Sequence, residues 1–241
     1  MNRSPNFDRL ASVYRWMEMA TFGCALWHCR CRFLDELRNC RTALVLGDGD
    51  GRFTARLLQE NAHVRVEVID TSKAMLRALL RNAGVHRHRI SVHHADARQW
   101  QPRTSHYDLI VTHFFLDCLT TGEVTALAER LRSCTSDQTR WVVSELAIPA
   151  GRFGRLVAQP LVAGLYLAFR MLAGLRVSRL PRHREALLNA GFALNHEVKS
   201  LCGLLASEVW VPSGSEGFRN AAQTGSAGLP LTDSLVPAKP D

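Results

Sequence analysis

The sequence predicts an α/β protein built on a seven-stranded, doubly wound sheet, with an antiparallel edge pair and a helical N-terminal cover. From Ala43 onward, short apolar runs alternate with longer amphipathic ones, the texture of parallel strands joined by helical crossovers and covered on both faces. Towards the end, "FALNHEVKS" and "LLASEVWV" flank a short turn near Leu201 to Gly203, as an antiparallel pair would. With 241 residues and 46% hydrophobic content, the chain can bury one sizeable core.

Before the sheet, Leu10, Val13, Tyr14 and Met17, then Leu26, Trp27, Phe33, Leu34 and Leu37, recur at helical spacing. They predict two helices within residues 1–40, broken near Thr21-Phe22-Gly23. The strands of the main domain, residues 41–211, are then "ALVL", "VRVEVI", "ISVHH", "YDLIVTHFF", "RWVVSELAI" and the closing pair. "RFTARLLQE", "SKAMLRALLRNA", "GEVTALAERLRS" and a segment at 182–190 supply helices. A helical insert is expected at about 152–176. From residue 212 on, Ser, Gly, Ala and Pro dominate and periodicity vanishes, so the tail to 241 is expected to be disordered.

The N-terminus lacks the basic start and apolar run of a secretory signal, and seven irregularly spaced cysteines read as reduced thiols, so a cytoplasmic location is expected. Cys24, His28, Cys29 and Cys31 crowd together, but no matching pair follows at zinc-site spacing, and no metal is expected. The net charge of +8 comes almost wholly from arginine, which along the whole chain looks scattered rather than clustered and gives little support to a polyanion partner.

The first strand breaks into "GDGDG". Glycines at 47, 49 and 51 let backbone approach a ligand and present free N–H groups at the positive end of the following helix. The nicotinamide fingerprint G-x-G-x-x-G would need glycine at 52, where the chain has Arg52. Asp70 ends the second strand, where a carboxylate can take the paired hydroxyls of a ribose, and Asp96 in "HHADARQW" follows the third, placed to reach an adenine amino group beside the Ala97 backbone.

These three segments, in this order, resemble the class I S-adenosylmethionine-dependent methyltransferases. The resemblance implies a Rossmann-like methyltransferase sheet, S-adenosyl-L-methionine as cofactor, and cofactor contacts from Gly47, Asp48, Gly49, Gly51, Asp70, Thr71, Asp96, Ala97 and Thr112. The family usually carries an acid two residues before the first glycine, where this chain has Val45. We expect the acid's role to have moved into the loop, with Asp48 accepting from the methionine ammonium. The N-terminal "FDRLASVYRWMEMATFG" further resembles the ubiquinone/menaquinone C-methyltransferase group, which would bring Tyr14 near the cofactor or, as the plainer alternative, into the core.

The fourth strand ends "THFFLDCLT". DNA amine methylation uses a D/N/S-P-P-Y segment there, and this chain has neither the proline nor the acid, so DNA is not an expected partner. His113 is the candidate base, since an imidazole near neutrality can take a proton as methyl transfer proceeds; a histidine that only lines the pocket is the other reading. Phe114, Phe115, Asp117 and Tyr166 are substrate-side candidates, and Glu145 is a further acid near them.

The apolar stretch 156–175 is interrupted by Gln159, Pro160 and Arg170, which argues against a span and for a lid over the site, with Leu165, Tyr166, Phe169 and Leu172 facing inward, or for contact with a membrane surface or partner. Either favours a small, apolar or lipid-like methyl acceptor. The competing readings are a non-catalytic S-adenosylmethionine-binding regulatory module and a protein or RNA methyltransferase.

Overall fold

A computed structural model describes residues 21–102, 104, 106–173, 177 and 179–215, apart from the side chains at 169, 172 and 173. The seven strands form one sheet in the order β3-β2-β1-β4-β5-β7-β6. They are β1 (Thr42–Leu46), β2 (Arg65–Asp70), β3 (Ile90–His94), β4 (Tyr107–His113), β5 (Thr135–Leu146), β6 (Phe192–Ser200) and β7 (Leu205–Pro212). β1 to β5 pair in parallel, whereas β7 runs antiparallel to both β5 and β6. Chain direction reverses between β6 and β7 through Leu201, Cys202 and Gly203, all at positive φ.

Helices follow where the apolar spacing changes from two to about 3.6. On one face, α2 (Arg52–Glu60) and α3 (Lys73–Ala83) lay Phe53, Leu57, Leu76 and Leu79 onto Val45, Val66, Val68 and Val111. On the other, α4 (Thr121–Arg132) and α6 (His183–Asn189) pack Val124, Leu127, Leu131 and Leu187 against Leu44, Ile110, Trp141 and Trp210. Two of these helices are capped by side chains at their start. Ser72 accepts from the Met75 N–H at α3, and Thr120 with Glu123 forms a capping box at α4.

A third cluster covers the carboxyl end of β5. There α1 (Ala25–Arg30) contributes Leu26 and Cys29, and the insert helix α5 (Gln159–Ala173), entered through a π-helical turn at Gly154–Ala158, contributes Val162 and Tyr166. The expected second N-terminal helix is shorter than its periodicity suggested: α1 stops at Arg30, and after a turn a single 3-10 turn at Leu34–Leu37 carries Leu34 and Leu37 down onto the sheet. The expected first N-terminal helix, with Tyr14, lies outside the described residues, as does the expected disordered tail from 216; the first residues of that tail, from 212, are ordered, since Pro212 ends β7 and the Ser213 N–H donates to the Gly191 carbonyl at 2.8 Å.

Packing requires glycine at Gly51 and at Gly154. A Cβ on Gly51, at φ 79°, would lie 2.6 Å from the Leu79 Cα and 2.3 Å from its Cγ. On Gly154 it would lie 1.7 Å from the Pro149 carbonyl oxygen. Gly51→Ala is expected to lose at least about 2 kcal/mol through left-handed strain and overpacking. Urea denaturation measures this; a midpoint equal to that of the wild type would refute the close approach.

Candidate active site

The carboxyl ends of β1 and β4 face the place where strand order reverses, the crevice in which open α/β sheets hold ligands. On the β1 side the chain turns through Gly47, Gly49 and Gly51 at φ 68°, 60° and 79°. The Gly47 N–H donates to the Ile69 carbonyl at 3.0 Å. Asp48 is buried within this loop, and its Oδ2 accepts from the Thr54 N–H at 2.8 Å, tying the loop to the first turn of α2. Burial raises its pKa from 3.8 to about 6, against the lowering effects of Thr54 and the Arg30 guanidinium.

Asp70 closes β2, and its Oδ1 accepts from the Ser72 N–H at 2.7 Å. Thr71 presents its carbonyl to the His94 Nε2 at 3.0 Å. Asp96 follows β3 and is gripped by Arg98, with Nε to Oδ1 at 3.0 Å and Nη2 to Oδ2 at 2.6 Å, while the Arg98 Nη1 reaches Glu123 at 3.1 Å. That hydrogen-bonded pairing with Asp96 holds the Arg98 guanidinium charged. Ala97 is buried, and its carbonyl accepts from Arg130 at 2.7 Å. The three predicted acids therefore stand at the same end of β1, β2 and β3 in turn.

On the β4 side the outcome is mixed. Thr112 is buried and its hydroxyl accepts from the Trp141 indole at 3.0 Å, so its side chain serves the core. His113 points to the opposite face, against the edge of Phe53 with ring centroids 4.4 Å apart. It is 4% exposed, and neither ring nitrogen has a hydrogen-bond partner among the described residues. Burial, aided by the Arg30 charge, lowers its pKa well below 6.5. Its geometry is that of a neutral core histidine.

Past His113 the backbone turns sharply at Phe114, at φ 53°. Glu145, near the end of β5, holds the next residues: its Oε1 accepts from the N–H groups of Phe115 at 3.1 Å and Leu116 at 2.8 Å. The other oxygen is buried without a partner among the described residues. Burial, and the neighbouring charge of Asp117, push the Glu145 carboxyl well up, and burial also raises that of Asp117. The Asp117 Oδ1 accepts from the Cys118 thiol at 3.4 Å, and its carbonyl accepts from the Tyr166 hydroxyl of α5 at 2.7 Å.

The Phe115 ring lies against Gly47, so close that a Cβ there would meet its Cδ2 at 2.4 Å. Phe114, Leu146, Val162 and Tyr166 form the apolar side of this corner. The structure brings Tyr166 to Asp117, two residues past Phe115, whereas the side chains of Phe169 and Leu172 are outside the described set.

Arg30, which the sequence did not single out, lies beside these groups. It is 6% exposed, with its guanidinium carbon 5.3 Å from the centre of the Phe114 ring, and its charge is felt by Asp48 and His113. Trp27, one turn before it, has its ring 6.0 Å from the Arg52 guanidinium. The cysteines near it are packing groups. Cys29 Sγ lies 3.1 Å from the Ser207 hydroxyl, and no group of three potential metal ligands occurs among the described residues.

A cavity of about 330 Å3 opens beyond the end of β5, on the side away from the glycine loop. Ala147 and Pro149 line it together with His183, Arg184, Lys199 and Glu208. Glu208 is fully buried; burial pushes its pKa up, but bonds from His183, Arg184 and Trp210 prevail and hold it low.

Comparison with known proteins agrees with this geometry. Residues 43–138 match the family described as a methyltransferase domain. The matched stretch holds the glycine loop, Asp70, Asp96 and all of β4. Among solved structures, the mitomycin 7-O-methyltransferase MmcR is similar over 86% of this chain and 61% of its own, at 16% identity and a TM-score of 0.62. A TehB-like methyltransferase from Corynebacterium glutamicum is similar over 85% of this chain and 98% of its own, at 15% identity and a TM-score of 0.58. An O-methyltransferase family 2 protein from Planctomyces limnophilus, solved in complex with apigenin, is similar over 88% and 62%, at 19% identity and a TM-score of 0.61. The chain thus spans about three fifths of the length of the first and third. No curated protein sequence matches it.

The pKa of Asp48 in the folded protein lies above its ordinary value, so the folded state binds the extra proton. Its stability contribution is complete below about pH 4 and is lost as pH rises through about 6. Asp48→Asn keeps an acceptor for the Thr54 N–H without the charge. The variant is expected to melt higher than wild type at pH 7.5 and equally at pH 4; a lower melting temperature at both would contradict the assignment.

Proposed function

We propose that the protein transfers the methyl group of S-adenosylmethionine to a small, predominantly apolar molecule held beneath α5. The observation that carries this reading is Asp48. An amide would cap α2 as well and at less cost, because burial penalises the charge. A carboxylate kept at the mouth of a glycine loop fits the ammonium of the cofactor's methionine end. Gly47, Gly49 and Gly51 would let that end approach backbone, Asp70 would take the ribose hydroxyls, and Asp96 with Ala97 would face the adenine. When bound, the cofactor supplies a methyl group on a positively charged sulfur, open to in-line attack.

What the chain must then do is align an acceptor and exclude water. Phe114, Phe115 and Tyr166 suit a flat or aliphatic acceptor, in keeping with the small-molecule O-methyltransferases among the similar folds. Because His113 is turned into the core, we assign the acceptor proton to Asp117, whose carboxyl is made more basic than usual by burial. Glu145 positions it through the 115–116 backbone.

The buried His113 also favours a second reading, a module that binds S-adenosylmethionine without turnover. One experiment separates them: an extract of the source cell is incubated with protein and isotope-labelled cofactor, and new labelled products are sought by mass spectrometry. The transfer reading expects a labelled small molecule whose formation Asp117→Asn slows by about a hundredfold or more, with cofactor affinity unchanged. Tight cofactor binding with no labelled product would establish the binding module instead.

A further inference from the structure

The insert has two faces, and the function above uses only one. Inward, Gly154, Ala158, Val162 and Tyr166 are buried against the end of β5 and the 114–118 turn. Outward, Leu156, Leu167 and Met171 are 73%, 56% and 72% exposed, with Phe153 and Val157 also exposed. These positions, with Pro160 and Gly164 between them, recur at helical spacing and make one continuous apolar stripe. A buried helix would not be wet on this side, and a solvent-facing helix would not be apolar there.

Charge identifies what the stripe fits. Residues 146–184 contain seven arginines and no acid, whereas the whole chain has a net charge of only +8. Arg152, Arg155 and Arg170 flank the stripe, are exposed, and have no carboxylate partner among the described residues. An exposed apolar stripe edged by exposed arginines is the pattern of a helix lying in the plane of an anionic membrane surface, its arginines reaching headgroups while its apolar side chains enter the acyl boundary. No helix among the described residues is long and apolar enough to cross a membrane.

We propose that the outer face of the 152–173 insert docks the protein on an anionic lipid bilayer. The same helix roofs the acceptor corner, held there by Tyr166 and by the contact of Gly154 with Pro149. Docking therefore places that corner at the bilayer surface, where an apolar acceptor is concentrated. The inference rests on exposure and charge, not on the transfer reaction, and its test needs no turnover.

The full-length protein is sedimented with vesicles of phosphatidylcholine alone, and with vesicles in which phosphatidylglycerol is mixed in. It is expected to pellet with the second and not the first, to be released by raised salt, and to lose at least about tenfold in vesicle affinity on the double change Leu167→Glu and Met171→Glu. Because both side chains face outward, the variant should keep the wild-type melting temperature. If it does not, Arg155→Glu with Arg170→Glu replaces it, with the same loss expected. Failure of the wild type to bind phosphatidylglycerol vesicles would overturn the proposal. So would full binding by the folded variants, or a dimer in sedimentation velocity that these changes dissolve without any vesicle binding, since the stripe would then belong to a second copy.

Discussion

The hydrogen bond from the Thr54 N–H to the buried Asp48 carboxylate is the contact on which the site depends. It satisfies an orphan donor in the first turn of α2 and fixes the loop that precedes that helix. With the loop fixed, Gly47, Gly49 and Gly51 hold left-handed conformations, and Gly51 can sit directly against Leu79 of α3. α2 and α3 are thereby locked to each other and to the carboxyl end of β1. Burying a charge for this purpose is costly, and an uncharged side chain could make the same bond. The fold does not require that charge, in keeping with the ligand proposed for it.

A second carboxylate does the matching work across the crevice. Glu145 holds the N–H groups of Phe115 and Leu116, which forces the turn at Phe114 and places the Phe115 ring on Gly47. The two halves of the site, the glycine loop after β1 and the turn after β4, thus touch through one aromatic ring. The Tyr166 bond to the Asp117 carbonyl extends the linkage to α5, so that the insert, the acidic pair and the loop form one connected unit.

Much of this was legible in the sequence, for identifiable reasons. Parallel strands covered on both faces read as short apolar runs, and the turn at Leu201 to Gly203 separated the final pair. Asp70 and Asp96 could be placed because each directly follows such a run. His113 could not be read the same way. A strand buried on both sides gives no period to say which face a side chain takes, and the structure turns this one towards Phe53. The grip of Arg98 on Asp96 depends on the geometry after β3, and the burial of Arg30 on how α1 docks. The arginines are scattered along the chain, and three of them, Arg152, Arg155 and Arg170, stand exposed on the insert. Asp48 was singled out by its place between glycines, yet only the structure showed that it is also a helix cap.

The most direct test of the central claim is proton release on cofactor binding. S-adenosylmethionine is titrated into the protein by calorimetry at pH 6, in two buffers of different ionisation enthalpy; at this pH the cofactor's amine is already protonated. With the Asp48 pKa at about 6 in the free protein, an ammonium arriving beside it should drive off about half a proton per cofactor bound, and the release should vanish in Asp48→Asn. Binding with no net proton release at pH 6, or with the same release in Asp48→Asn, would contradict the claim that the buried loop acid holds the cofactor.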